Sequence, residues 1–493
     1  MEGIYYWIEK RAQLHPDKVA IFTENDAISY FELRNLIDRY ATFLINEKGV
    51  QPGDRIGILS HNRYEYVVLL FAIAKIQCIA VPLNVRLNPH ELEYQLRDSG
   101  TTLLIMEDEF ASYRDHFETI EGLEVDDFQS LKKLPEADDY FYSVDESASY
   151  IICYTSGTTG KPKGAVLTQK NMYYNALNNV LGLNITSDDI TMVVLPLFHI
   201  GGIGLFALPT LFVGGTIVVG GKFEPDQALQ LIEKHRATIV FAVPSIHQAL
   251  LDSPYFDSLN LSSVRCFYSG GAPCPKELIE QFYEKGHLFG QGFGLTETSP
   301  SVFLLSLDDA PRKKGSIGKP VFFNEVKLVD ENDCEVPTGE IGHLLVKGGN
   351  VMKEYWNNPT ATTEALQDGW FYTGDLAKVD EEGFYYIVGR KKEMIISGGE
   401  NIYPLEIENT INELTDVKEV AIVGVPDSKW GEVPIAFVAK RENSSLREDE
   451  IIQYCKQYLG KYKVPKEVHF LDELPKNSTG KIAKNQLTEL LSK

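Results

Sequence analysis

The residues Tyr154-Thr155-Ser156-Gly157-Thr158-Thr159-Gly160-Lys161-Pro162-Lys163-Gly164 crowd glycines, hydroxyls and lysines into one segment behind an apolar, strand-like run, Ser149 to Cys153. Glycines let successive backbone N–H groups converge on an anion. The hydroxyls add donors, and the lysines add positive charge that can follow a polyphosphate tail. A Walker A loop does similar work with G-x-x-x-x-G-K-[ST]. Here Gly157 and Gly160 are spaced G-x-x-G and Pro162 follows Lys161, so the ordinary P-loop reading fails. By composition alone, a solvated surface loop fits as well as a phosphate cradle.

Further along lie Ser269-Gly270-Gly271-Ala272-Pro273 and Gly290-Gln291-Gly292-Phe293-Gly294-Leu295-Thr296-Glu297-Thr298, both read as glycine-rich loops after apolar runs. Such loops bring backbone close to a flat ligand, while Phe293 can stack on a base and Glu297 offers a hard oxygen ligand for Mg2+. Taken alone, each is more simply a structural turn. Phe371-Tyr372-Thr373-Gly374-Asp375-Leu376 is expected to place one carboxylate after a turn. That carboxylate suits the vicinal hydroxyls of a ribose, or it satisfies its own turn backbone. Arg390-Lys391-Lys392-Glu393 is a charged run that reads as a linker, followed by a strand, the pair Gly398-Gly399 and a helix opened by Pro404. Lys481 closes a polar loop from Leu474, where lysines are ordinarily solvated. His199, in Leu195-Pro196-Leu197-Phe198-His199-Ile200-Gly201-Gly202, titrates near neutrality, and both a core role and pocket lining stay open for it.

Five of these motifs, in order from Tyr154 to Lys481, resemble those of the acyl-adenylate-forming superfamily. That group includes acyl-CoA synthetases, aryl-CoA ligases, luciferases and the adenylation domains of peptide synthetases. The resemblance implies that Thr155, Ser156, Gly157, Thr158, Thr159, Gly160 and Lys161 hold the phosphates of ATP. It implies that Gly270, Gly271, Ala272, Pro273, Gly292, Phe293, Gly294 and Thr296 line the adenine pocket, and that Glu297 holds Mg2+. Asp375 is implied at the ribose, Arg390 at ribose or phosphate, Lys392 at a hinge, and the Ser397 to Gly399 backbone, with Gly398 and Gly399, beside the pantetheine channel of CoA. Many members carry tyrosine where Phe293 stands, so stacking is kept and a hydroxyl is lost.

The implied chemistry is attack of a carboxylate on the α-phosphorus of Mg·ATP, giving acyl-AMP and pyrophosphate, with Lys481, Thr155 and Glu297-bound Mg2+ stabilising charge. A CoA thiol then takes the acyl group. A carboxylate needs no deprotonation, so His199 is expected to line the acyl site with Phe198, Ile203, Ile246 and Gly292. The apolar lining suggests a medium- or long-chain fatty acid. An aryl acid such as o-succinylbenzoate is the alternative, and a carrier-protein thiol is the alternative acceptor.

The elements that must position these groups read as α/β. Strand-like and helix-like runs alternate, as in Arg55 to Ser60, Arg63 to Ile76, Ile79 to Leu83 and Pro89 to Ser99. A small β-rich unit begins near Asn324, and a compact α+β unit occupies the last hundred residues. The expected division is an adenylation region, 1–391, and a mobile C-terminal domain, 392–493, with the active site at their interface. At 493 residues the chain exceeds one ordinary core, and 47 basic against 70 acidic residues give a net charge of −23. That balance disfavours nucleic acid and anionic lipid as partners and makes the lysines near the phosphate loop conspicuous. The six cysteines are scattered without C-x-x-C pairs, as in a cytoplasmic, reduced protein. No window approaches the ~20 apolar residues of a membrane span. Val67 to Pro82 comes nearest and reads as a buried helix leading into a strand. A homo-oligomer is compatible with the sequence.

Overall fold

A computed structural model describes residues 3–132, 134–138, 145–155, 161–398, 400–477 and 480–491. The chain is mixed α/β and divides into two compact units. The larger comprises Met1–Cys274, Glu280–Glu325 and Val346–Phe371, and the smaller comprises Pro275–Ile279, Val326–Leu345 and Tyr372–Lys493.

Two sheets organise the larger unit. A nine-stranded sheet runs Lys319–Pro320, Ser301–Leu304, Phe289–Gly294, Cys266–Ser269, Ile239–Ala242, Ile190–Val193, Thr216–Val219, Val19–Phe22, Ala27–Ser29. Its central strands pair in parallel from Phe289–Gly294 through to Val19–Phe22. The order reverses beside Ile190–Val193, because the next strand in sequence lies on one side of it and the following one on the other. In open α/β sheets such a reversal leaves a crevice outside the carboxyl ends of the strands, where ligands bind. The residues just beyond those ends are 194–199 and 243–246, which carry Phe198, His199 and Ile246.

The seven-stranded sheet places Glu354–Tyr355, Lys163–Thr168 and Ser149–Thr155 antiparallel at one side and the parallel set Ile79–Pro82, Arg55–Leu59, Leu103–Met106, Glu124–Asp127 beyond. Tyr64–Lys75 is the helix that came nearest to a membrane span by composition. It is buried from Tyr66 through Ala74, because strands and helices surround it. Among the described residues no helix is long and apolar enough to cross a membrane.

In the smaller unit Ile395–Ser397, Glu400–Ile402, Val417–Asp427, Gly431–Lys440 and Val468–Leu471 form one sheet, packed by the helices Pro404–Asn412, Glu448–Tyr458 and Lys484–Leu490. A further five-stranded sheet contains Asn324–Val329, Gly342–Gly348, Leu366–Gln367, Trp370–Val379 and Tyr385–Arg390.

Two local readings differ from expectation. Phe289–Gly294, read as a loop, is a strand: Phe267, Tyr268 and Ser269 pair with Phe289, Gly290 and Gln291 on one side, and Phe303 pairs with Phe293 on the other. Ladder hydrogen bonds on both edges outweigh the low strand propensity of its three glycines. Asp375, read as following a turn, lies inside the strand Trp370–Val379 opposite Arg390. Gly374, at φ 75°, bends that strand just before it.

Candidate active site

The phosphate-type segment joins two strands whose pairing sets Tyr154 opposite Gly164 and Thr155 opposite Lys163. Ser156, Gly157, Thr158, Thr159 and Gly160 lie outside the described residues. Both flanks of the segment are tied to the helix Pro89–Ser99. Tyr154 Oη donates to Asp98 Oδ2 at 2.7 Å, and Tyr94 Oη donates to the Pro162 carbonyl at 3.2 Å. Burial, reinforced by Asp98, pushes the Tyr154 phenol well above its usual range, so it stays a neutral donor. The Lys161 ammonium stands 5.8 Å from the Tyr94 ring centre, and the residue is exposed. Gly164 has no room for a side chain: a Cβ there would lie 2.6 Å from Ile152 Cγ2.

The helix itself is strongly specified. Asn88 caps the N–H groups of His90 and Glu91, Glu91 returns a bond to the Asn88 N–H, Pro89 opens the first turn, and Gly100 at φ 63° closes the last.

Glu297 sits in the short turn Thr296–Thr298, nine-tenths buried. Tyr355 Oη donates to its Oε1 at 2.8 Å, and the Lys163 ammonium lies 5.3 Å from the Tyr355 ring centre. The turn is braced from behind: Met352 N–H donates to the Glu297 carbonyl, and Asn350 Nδ2 donates to the carbonyls of Thr298 and Ser301. Asn175 accepts from the Ser301 N–H and donates to the Gly204 carbonyl, while Asn179 accepts from Ser301 Oγ. These buried asparagines and Tyr355 were missed from sequence. The asparagines of the helix Gln169–Leu183 had a legible signal, since Asn171, Asn175, Asn178 and Asn179 form a polar stripe at helical spacing.

The same turn abuts the segment that follows His199. Gly201–Ala207 winds as a π-helix, and a Cβ on Gly204 would lie 2.8 Å from the Ser299 carbonyl oxygen. Wide helical turns of this kind concentrate at functional sites. Phe198 and Ile203 are buried, His199 and Ile246 half-buried. Phe206, Phe241 and Tyr268 pack as a ring cluster with centroids 5.3, 6.0 and 6.4 Å apart, and Ile246 rests against the same cluster.

Gly270 and Gly292 come together because their strands are neighbours, with Ser269 opposite Gln291; a Cβ on Gly270 would lie 3.2 Å from the Phe241 ring. At Gly292 and Gly294 it is protein backbone that excludes a side chain, since a Cβ would meet the Phe303 carbonyl at 2.7 Å and the Pro300 carbonyl at 1.5 Å. Gly271, at φ 80°, has only Val243 nearby at 3.6 Å. Phe293 is half-buried, its ring 6.2 Å from Phe303. Thr296 precedes Glu297 in the same turn.

In the smaller unit, Asp375 and Arg390 form a cross-strand pair with Arg390 Nε donating to Asp375 Oδ1 at 2.7 Å. The carboxylate is almost fully enclosed at 4% exposure, whereas the guanidinium is 39% exposed. Thr373 Oγ1 accepts from the Asp375 N–H and donates to the Leu344 carbonyl, fixing the strand on both sides. Lys392 follows in the single turn Lys391–Glu393, and burial together with neighbouring Arg390 lowers its ammonium below the ordinary lysine range. Glu393 is gripped by Lys484, which also binds Glu408 at 2.7 Å. Gly398, at φ 60°, donates its N–H to the Trp430 carbonyl at 2.7 Å; Gly399 lies outside the described residues. Lys481 is exposed on a tight loop in which its N–H donates to Asn477 Oδ1 at 3.0 Å.

The larger unit thus holds an enclosed carboxylate, Glu297, two lysines, Lys161 and Lys163, on the C-terminal flank of the hydroxyl-rich segment, and a sheet reversal of the kind at which nucleotides and other ligands bind. The AMP-binding enzyme family matches residues 8–356, and the AMP-binding enzyme C-terminal domain matches residues 406–481. The chain belongs to this family, and it is an AMP-forming acid–CoA ligase that uses ATP, Mg2+ and CoA.

It is 40% identical to a feruloyl-CoA synthase of an Amycolatopsis species over 99% of this chain and 98% of that one. Identity to an indoleacetate–CoA ligase of Aromatoleum aromaticum is 38%, covering 99% and 98%. Among solved structures it matches the o-succinylbenzoate CoA synthetase of Bacillus subtilis, in complex with its acyl-adenylate intermediate, with a TM-score of 0.89 and 36% identity, covering 98% and 97%.

Proposed function

We propose that this chain joins an aromatic carboxylic acid to CoA through an acyl-adenylate. The observation that carries this reading is the ring cluster Phe206, Phe241 and Tyr268, which lies among the elements around the sheet reversal. Rigid aromatic side chains give a flat, short boundary suited to a ring acid. Three relatives whose names specify feruloyl, indoleacetate and o-succinylbenzoate groups support it. The fatty acid expected from the apolar lining is the second reading, favoured by Ile203 and Ile246.

The residues take the following parts in this reading. Glu297 holds Mg2+, and its enclosed carboxylate, supported by one phenolic donor, suits a hard cation. Thr155, with Ser156 to Gly160 and Lys161, receives the polyphosphate. Gly270 to Pro273 and Gly292 to Thr296 receive the adenine, and Asp375 with Arg390 the ribose. Phe198, His199, Ile203 and Ile246 bound the acyl group. Lys481 supplies fixed positive charge to the carboxylate and α-phosphate during adenylation. Lys392 serves as the pivot and the Gly398–Gly399 backbone flanks the thiol of CoA in the second half-reaction.

The test is kcat/KM for CoA thioester formation over hydroxycinnamates, arylacetates, benzoates, o-succinylbenzoate and straight-chain acids of increasing length. Selective turnover of one aromatic group is expected. A preference that climbs with alkyl length would replace this reading with the fatty acid.

A further inference from the structure

We propose a second metal site in the larger unit, separate from Glu297: a Zn2+-class ion held by His90 Nδ1, Glu93 Oε2 and His116 Nε2. His90 and Glu93 stand three residues apart in the first turn of the helix Pro89–Ser99, and so project from one side of it. His116 comes from the short helix Arg114–Phe117. The three ligand atoms lie within 4.8 Å of one another.

The spacing is that of ligands around a common point. A tetrahedral ion with bonds of ~2.0–2.1 Å sets its ligand atoms ~3.3 Å apart. Glu93 Oε2 is 2.9 Å from His116 Nε2 and 4.0 Å from His90 Nδ1, which brackets that value. His90 is 85% exposed and its ring meets that of His116 edge-on with centroids 4.9 Å apart, so a small turn of the ring closes the wider gap.

A second observation is independent of the spacing. His116 Nε2 is shut off from solvent, and Glu93 Oε2 faces it at 2.9 Å. A buried imidazole nitrogen facing a carboxylate oxygen is the donor set of a metal site as well as of an ion pair. The other oxygen, Oε1, accepts from Arg97 Nε at 2.7 Å. That bond fixes the carboxylate and leaves Oε2 toward the imidazoles, the outer-shell support typical of metal-binding carboxylates.

Two imidazoles and one carboxylate select Zn2+ and its neighbours over Mg2+ or Ca2+, which take oxygen ligands. A water would fill the fourth position. The bound ion would clamp two helices, one of which also carries Tyr94 and Asp98 to the flanks of the phosphate segment.

The experiment uses the untagged full chain, stripped with EDTA, in excess Mg2+. Zn2+ binding is measured by calorimetry, and Co2+ substitution by visible absorption, for wild type, His90→Ala, His116→Ala and Glu93→Gln. One Zn2+ per chain is expected, weakened at least about tenfold in each variant, with Co2+ bands of nitrogen and oxygen ligation. The metal-free Tm of His90→Ala should equal that of wild type, which separates lost ligation from misfolding. Equal Zn2+ affinity in wild type and His90→Ala, or no saturable binding by wild type, would overturn the proposal. Intense thiolate bands with Co2+ would also overturn it, since they would place the ion at Cys274 or Cys334, the cysteines that are not buried.

Discussion

Tyr355→Phe is the substitution that most cleanly probes Glu297, the carboxylate proposed to hold Mg2+. It removes one hydroxyl, the donor 2.8 Å from Glu297 Oε1, and keeps the ring beneath the Lys163 ammonium. A hydrogen bond to a charged group contributes ~1.5–3 kcal/mol. Tyr355 is half-buried, so water can replace part of the loss and the low end applies. At about 1.4 kcal/mol per factor of ten, the apparent affinity for free Mg2+ should fall about tenfold, in line with other outer-shell changes. The assay is pyrophosphate release at saturating acid and ATP with free Mg2+ varied. Saturating Mg2+ should restore kcat to within about twofold, and the Tm should fall by no more than about 3 °C. An unchanged Mg2+ dependence accompanied by a lower Tm would make Tyr355 a structural residue only and refute the reasoning.

Three other outcomes follow from the same geometry. Lys481→Ala should lose adenylation yet still convert supplied acyl-AMP to thioester, measured by single-turnover formation of each product; equal loss of both half-reactions would end its assignment to the first alone. Gly294→Ala would force a Cβ to 1.5 Å from the Pro300 carbonyl oxygen, so soluble yield and Tm should collapse, and a well-folded, active variant would contradict the strand pairing described.

His247 is fully buried among Phe267, Phe282 and Phe289, with Nε2 3.0 Å from the Tyr268 carbonyl, and burial pushes its imidazole down to about 4 from an ordinary 6.5. The unfolded chain takes up a proton below about 6.5 while the folded chain stays neutral. Stability from this group is therefore full above that pH and lost as pH falls toward 4, by ~3 kcal/mol in all. Urea unfolding of wild type and His247→Gln at pH 7 and pH 4.5 should show a steeper loss in wild type; parallel losses would contradict it.

Much of this was legible in the sequence where local chemistry governs. The helix Pro89–Ser99 has the expected bounds, and the caps that Asn88, Glu91 and Gly100 form in the structure are the physical reason for them. The glycines of Phe289–Gly294 misled, because loop chemistry and tight strand packing call for the same residue. Only the neighbouring carbonyls of Pro300 and Phe303 tell the two apart. Asp375 was misplaced for a related reason: Gly374 suggested a turn, while the partner that holds the strand, Arg390, is fifteen residues away. Tyr355 and Asn350 lay beyond any local signal, since each meets its partner across a long stretch of chain, whereas the asparagines of Gln169–Leu183 stood out at helical spacing.

The most direct test of the account is a product balance with purified protein, Mg·ATP, CoA and a hydroxycinnamic acid. AMP, pyrophosphate and CoA thioester should appear in equal amounts, with acyl-AMP accumulating when CoA is left out. Formation of ADP, or of AMP and acyl-AMP without any CoA thioester, would contradict it.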